Sequence, residues 1–374
     1  MMIKRYILSL LFILIPGLVL AQKIIQSSCT THDDGSYIGE MMSGKPHGKG
    51  KTTWQNGNTY EGEYVKGKRE GQGIFTYADG RRYEGQWMQD QRHGLGTFYF
   101  VNNNKYVGLW YRDYQQGRGT MYYFNGDVYE GIWYLNKRTG KGKYTFASGA
   151  YYDGEWKEDR KNGAGVFFWD DGSSYEGAWV NDQKQGKGTF KYANGDLYVG
   201  QFLEDLMHGK GIYRFSNGDI YEGDYVKGLR TGVGLFKYAN GDKYTGQLQQ
   251  GSKEGRGIFV WANGNQYDGE WKADKPNGHG RLTTKGGDVV EGQFLDGEPN
   301  GECIGHLADG SKFKATYKNG KRHGPSIEED KDGNRFEGNY VDGHRDGAFV
   351  EKDRSGKVTS QGSYVNGQRQ ESNQ

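Results

Sequence analysis

Four of the eight histidines, His47, His93, His208 and His323, are the residues that first invite a chemical site. Zinc needs ligands that converge within a few ångströms. These four are separated by 46, 115 and 115 residues, all multiples of 23. Residues in phase with such a period occupy equivalent places in successive units. They stand roughly 20 Å or more apart at two strands of ~4.8 Å per unit. No metal site is expected from them. The many Gly-x-Gly pairs, such as Gly71-Gln72-Gly73, fail as phosphate loops. Such a loop must open a helix whose N-terminus holds the phosphate, and here each pair opens an aromatic strand. Glu61, Glu84, Glu130, Asp153 and Glu176 recur at one place in the period and share a face with Lys141, Lys187 and Lys210. Cross-strand ion pairing at about 0.2–1 kcal/mol each accounts for them. A paired-carboxylate hydrolase needs a cleft that breaks the repeat, and no insertion before Val358 supplies one. No Ser-His-Asp or Cys-His set stands outside the repeat phase. The sequence predicts no catalytic residue, no cofactor and no enzyme.

What must position these residues is the repeat itself, and a fixed period of this size has to be read before any motif. Residues 60–82 read YEGEYVKGKREGQGIFTYADGRR, and the plan restarts at Tyr83, Tyr106, Tyr129, Tyr152, Tyr175, Tyr198, Tyr221, Tyr244 and Tyr267. Tyr37 opens a first copy, and Val290, Phe313 and Phe336 open weaker ones, giving about 14 units over residues 37–358. Positions are counted below from the opening aromatic. Tyr60, Gly62 and Tyr64 alternate with Glu61 and Glu63, the pattern of a strand with one apolar face. Gly71, Gly73, Phe75 and Tyr77 are expected on that face too. Val65 to Glu70 reads as one turn, and Asp79-Gly80, Asn56-Gly57 and Asn125-Gly126 read as tight hairpin turns. Each unit is then a β-hairpin. Rings lying over bare glycine backbone restore the packing that glycine lacks, and stacked neighbours cover one another.

The pattern Y-x-G-x-[WY] followed by G-x-G, in this phase across most of the chain, resembles the MORN repeat (membrane occupation and recognition nexus). The resemblance implies an all-β fold, an elongated open antiparallel β-meander. It also implies scaffolding, dimerising or partner-binding roles, with lipid-headgroup binding proposed for some members. Catalytic domains that follow such arrays elsewhere find no counterpart, because the array fills the sequence.

The flanks differ. Lys4 and Arg5 precede an apolar run from Ile7 to Leu20, interrupted by Pro16-Gly17. Residues 1–21 read as a secretory signal peptide, with an uncleaved N-terminal anchor as the alternative; the apolar run is short for a membrane span. An exported protein is expected, periplasmic, cell-surface or secreted. Residues 22–36 read as a polar lead-in, 37–312 as the regular array and 313–374 as degenerate, variant repeats forming a polar cap. Gly is 64 of 374 residues and only 34% of the chain is hydrophobic, yet 15% is aromatic. Disordered chains are aromatic-poor, so the rings supply the core. Without the leader, 47 basic residues balance 47 acidic ones, which argues against nucleic acid and against purely electrostatic docking to anionic lipid. Lys68-Arg69, Lys137-Arg138, Arg160-Lys161 and Lys321-Arg322 read as solvated turn charges, as do Asp79, Asp127 and Asp196 on the opposite edge. Cys29 and Cys303 lie at opposite ends of the array, so no intrachain bridge is expected; an intermolecular one through Cys29 stays open.

The expected function is therefore a scaffold that binds a protein partner or a second copy of itself. The alternative is recognition of a membrane lipid headgroup or envelope glycan. Binding is expected on the aromatic face of the regular units, at Tyr129, Trp133, Tyr152, Trp156, Trp169, Tyr175, Trp179, Tyr198 and Tyr221, because rings dominate binding hot spots.

Overall fold

The computed structural model describes residues 23–370. The leader at 1–21 lies outside them. The chain divides into two compact units, one up to Ala147 and one from Ser148. The N-terminal unit holds 11 strands, from Ile25–Thr30 to Lys137–Thr145, and the C-terminal unit 20, from Tyr151–Lys157 to Gln368–Gln370. Within each unit every strand pairs antiparallel with its chain neighbours. The described residues contain no helix, so the fold is an all-β antiparallel meander, as the alternation requires. The sheet begins earlier than expected, because the lead-in contributes strand Ile25–Thr30, paired with Ser36–Met42.

Two turn expectations are corrected. In the unit that starts at Tyr60, strand Thr59–Val65 turns into Lys68–Thr76 through Lys66 and Gly67 alone. Both have positive φ, 52° and 89°, the geometry of a two-residue hairpin turn. The pairs Asp79-Gly80, Asn56-Gly57 and Asn125-Gly126 do not form such turns. Tyr77 N donates to Arg81 O at 2.9 Å and Gly80 N to Tyr77 O at 3.0 Å, and only the glycine is left-handed. The aspartate instead folds back on the chain, and Asp79 Oδ1 accepts from Arg81 N at 3.1 Å.

A bulge between the two strands corrects a third expectation. Gly62 faces Gly73 and Tyr64 faces Arg69, so Glu63 alone opposes Glu70, Gly71 and Gln72. Gly71 takes φ +64° and points toward the Glu63 carboxylate, away from the rings. Gly62 and Gly73 do lie under a ring, that of Tyr60. The bulge frees the N–H at position 13, and the side chain at position 4 accepts it: Gln86 from Leu95 N at 2.9 Å, Gln247 from Arg256 N at 3.0 Å.

The core is a file of these rings. Tyr60, Tyr83 and Tyr106 are 0% exposed, and each hydroxyl donates to a carbonyl three residues on. The indole N–H of Trp87 donates to Gly73 O at 3.2 Å, and that of Trp271 to Gly257 O at 2.9 Å. Tyr83 and Trp87 meet edge to face at 5.2 Å, a favoured aromatic geometry. Each of these five polar tips is bonded, which removes the cost of burying it.

Toward the C-terminus the file changes chemistry. Position 16, a ring in most regular units, becomes Glu328. Its carboxylate accepts from Arg322 Nη1 at 2.7 Å, Arg345 Nη2 at 3.0 Å and the Tyr340 hydroxyl. The Arg345 guanidinium stacks 3.7 Å over Phe336. The cap is thus an ionic continuation of the stack, with Phe336, Tyr340 and Phe349 as its own apolar cluster.

Candidate interaction surface

The rings expected to bind a partner are the core. Tyr129, Tyr175, Tyr198 and Tyr221 are 0% exposed and Tyr152 is 1% exposed. Trp133, Trp156 and Trp179 are 4%, 7% and 3% exposed. A partner cannot reach them without opening the sheet, so the binding assignment to these eight is corrected. The physical reason is that each tyrosine lies over the paired glycines of its own hairpin, edge-on to the neighbouring rings. Trp169 alone of the nine is half-buried.

The basic residues at position 10 are corrected as well. Arg69 lies 4.8 Å over Trp87 and 5.3 Å over Phe75, and Arg92 4.4 Å over Trp110. Lys161 stands 4.4 Å over Trp179. These cations form a lid on the ring face, through cation–π contacts strengthened by partial desolvation. Burial pushes the Lys161, Lys184 and Lys253 ammonium groups below the usual lysine range, partly offset by Asp182, Asp205 and Asp274 respectively. Their position-9 neighbours Lys68, Lys137, Arg160 and Lys321 remain exposed, as read from the sequence.

The turn aspartates are structural too. Asp90 Oδ1 accepts from Arg69 N at 2.9 Å, and Asp113 does the same for Arg92, Asp182 for Lys161 and Asp274 for Lys253. Each lies at position 8 and grips the preceding unit across 21 residues. On the opposite edge, position 22 grips the following unit. Asp127 Oδ1 accepts from Ala147 N at 2.9 Å, Asp196 from Ser216 N at 2.7 Å, and Asn104 from Phe124 N at 2.9 Å. Asp127 and Asp196 are buried rather than solvated.

What remains accessible is the other face of the sheet. In the N-terminal unit it carries a contiguous apolar patch on strands Gln91–Tyr99, Lys105–Tyr111 and Tyr114–Tyr122. Leu95 stands opposite Leu109, Val107 between Thr97 and Thr120, Lys105 between Tyr99 and Tyr122, and Tyr111 opposite Tyr114. Leu95 is 63% exposed, and Tyr99, Val107, Leu109, Tyr111, Tyr114 and Tyr122 lie between 36% and 45%. The Lys105 ammonium sits 4.4 Å over the Tyr122 ring, which leaves the patch without an unpaired positive centre. In the C-terminal unit the face away from its own rings holds an open depression of ≈ 540 Å³ floored by Val199, Ile212, Val233 and Leu235.

The sequence carried a signal for this patch. One or two periods earlier, the unit at Tyr60 has Gln72, Glu61, Glu63, Lys68 and Thr76 where Leu95, Val107, Leu109, Tyr114 and Tyr99 stand. Departure from the polar consensus, rather than ring density, marks the accessible surface. Among the described residues no group of three or more His, Cys, Asp or Glu side chains is arranged to hold a metal, and both cysteines are free thiols.

Comparison with known proteins adds the following. The TCP domain of Drosophila melanogaster SAS-4, solved with a proline-rich motif of Ana2, aligns at 18% identity with a TM-score of 0.28, over 48% of this chain and 90% of that one. The TCP10 domain of Danio rerio CPAP aligns at 12% identity and 0.32, over 59% and 98%. A virginiamycin B lyase from Staphylococcus aureus aligns at 12% and 0.13, over 78% and 98%. Scores this low carry no functional argument. No curated protein matches the chain. The MORN repeat model matches 13 tandem segments from residue 37 to residue 335, stopping one hairpin short of the 14 units counted from the period. That match covers most of the sequence, and the chain belongs to the MORN repeat family.

Proposed function

We propose that this protein is a non-enzymatic repeat scaffold that captures a protein partner through the outer face of its N-terminal unit. The observation that supports this is the seven-residue apolar patch from Leu95 to Tyr122, most of it standing at positions that carry polar or charged side chains in the unit at Tyr60. Contiguous exposed apolar surface of this kind marks interaction sites in soluble proteins, and tyrosine-rich patches supply rigid contact area at low entropic cost. The leader read at residues 1–21 supports a role outside the cytoplasm. A reporter fused after residue 36 that is active only when exported checks that part.

The binding test compares the wild-type chain with a Leu95→Glu, Tyr122→Glu double variant. Both side chains are exposed, so the far-UV circular dichroism should persist. Partner capture should fall at least tenfold, as expected for two hot-spot positions. Full retention of capture removes the outer face from the reading. Vesicle co-sedimentation that the double variant loses, with no protein captured, replaces the protein partner with a membrane surface.

A further inference from the structure

The chain already shows what its ring face accepts. In the N-terminal unit, residues 31–35 fold back over the first repeats. The Trp54 indole N–H donates to Asp33 O at 3.1 Å, and His32 Nε2 lies 3.4 Å from Asp90 Oδ2. The docking point is thus an indole N–H at position 18 and a carboxylate oxygen at position 8 two units on. That carboxylate's other oxygen, Oδ1, is held by Arg69 N.

Five units later, 115 residues along, the same three residue roles recur in the C-terminal unit as Trp169, Lys184 and Asp205. Their geometry repeats closely. Trp54 meets Phe75 at 5.4 Å and 34°, and Trp169 meets Phe190 at 5.3 Å and 33°. The Arg69 guanidinium is 5.7 Å from the Trp54 ring, and the Lys184 ammonium 5.8 Å from the Trp169 ring. Asp90 accepts from Arg69 N, and Asp205 from Lys184 N, both at 2.9 Å. Among the described residues no loop covers this second copy. Among the described residues, Trp169 Nε1 donates to no acceptor and Asp205 Oδ2 accepts from no donor, while Trp169 is half-buried and Asp205 exposed. Trp261, the third tryptophan at position 18, lacks the set, because Pro276 and Gly297 stand where the cation and the carboxylate would be.

We propose that Trp169 and Asp205 form a docking point for a partner protein's turn that presents a cationic side chain followed directly by a free main-chain carbonyl. That is the arrangement His32 and Asp33 offer to Asp90 and Trp54. The carbonyl takes the indole N–H, and the cation pairs with the free oxygen of Asp205. One contact does not transfer. Gly35 nests on Thr52 in the N-terminal unit, whereas Phe167 fills that position beside Trp169. The incoming turn therefore lies against a ring instead of a methyl group. This site is on the ring face of the C-terminal unit and does not rest on the Leu95–Tyr122 patch of the N-terminal unit.

The probe is the peptide acetyl-Thr-His-Asp-Asp-Gly-amide, titrated into the full chain at pH about 6, where a free imidazole is mostly cationic. The readout is the ¹⁵N indole spectrum, whose nine tryptophan signals are assigned through Trp169→Phe, Trp54→Phe and Trp261→Phe. A saturable shift of the Trp169 signal is expected, with the Trp261 signal unmoved. Asp205→Asn, and separately an Ala in place of the peptide His, should each raise the half-saturation concentration about five- to tenfold, the loss of one charge-assisted bond. Absence of a Trp169 shift overturns the proposal. So does an equal shift at Trp261, indifference to Asp205→Asn, or a shift confined to Trp54, which would mean that the peptide only exchanges with the chain's own loop.

Discussion

Asp90 holds Arg69 at three points: its Oδ1 accepts from the backbone N at 2.9 Å and from Nε at 3.2 Å, and its backbone O accepts from Nη2 at 3.2 Å. The two side chains are 18% and 15% exposed. The guanidinium, so aimed, spreads over the Trp54, Tyr60, Phe75 and Trp87 rings. One carboxylate thus joins two units and fixes the lid of the core between them.

This linkage predicts unequal costs for its two members. Asp90→Ala leaves a backbone N–H and a guanidinium without their acceptor and should cost about 1.5–3 kcal/mol. Asp90→Asn should cost less, because Asn136 already grips Gln115 N at 2.8 Å in an equivalent turn. Arg69→Met should be the mildest, since Met207 occupies that position in another unit. Urea unfolding of the three variants checks the order, and Arg69→Met as the costliest would assign the energy to the cation–π contact instead.

The grip on the opposite edge is pH-dependent. Hydrogen bonds from Ser216 N and the Tyr213 hydroxyl, then from Asn194, outweigh the opposing effect of burial and hold the Asp196 carboxyl below the usual carboxylate range. A depressed folded-state value means that the stabilisation is fully present above the unfolded value of about 3.9 and is lost as pH falls through the lower folded one. Asp196→Asn should keep the acceptor, as Asn58, Asn104 and Asn265 do at the same position, and remove the titration. Melting temperatures measured from pH 7 down to about 2.5 should therefore fall less steeply for Asp196→Asn than for wild type below pH ~4. Parallel curves would show that this carboxylate contributes nothing to acid unfolding.

Tyr60 and Gly73 should behave as one group. A methyl on Gly73 would collide with the Tyr60 hydroxyl and ring, so Gly73→Ala should cost about 1–3 kcal/mol as an overpacked core. The weaker units toward the C-terminus show the compensation that the chain itself uses. Where Phe313 replaces the tyrosine, Ala315 and Ser326 replace the glycines, and where Val290 replaces it, Cys303 fills the space and is 1% exposed. Adding Tyr60→Phe to Gly73→Ala should recover part of the loss, giving a coupling energy of about 0.5–1.5 kcal/mol in a double-mutant cycle. Strict additivity would place the strain in the backbone rather than under the ring.

The period, the hairpin and the alternation of rings with glycines could be read from the sequence alone. Each is a local pattern repeated many times, and a strand's two faces follow from its alternation of two. The same reading carried Gly71 to the wrong face, because the bulge sets three residues against Glu63 and breaks the count. Burial could not be read at all. Ring density at Tyr129–Tyr221 looked like a binding surface, but whether a ring lies under a neighbour depends on how the next hairpin stacks. The stack also turned Asp127 and Asp196 from surface charges into clamps, since their partners lie 20 residues away and meet them only once the units are in register. Sequence fixes what repeats within one hairpin; tertiary stacking decides which face is left for a partner, because only neighbouring units close the other.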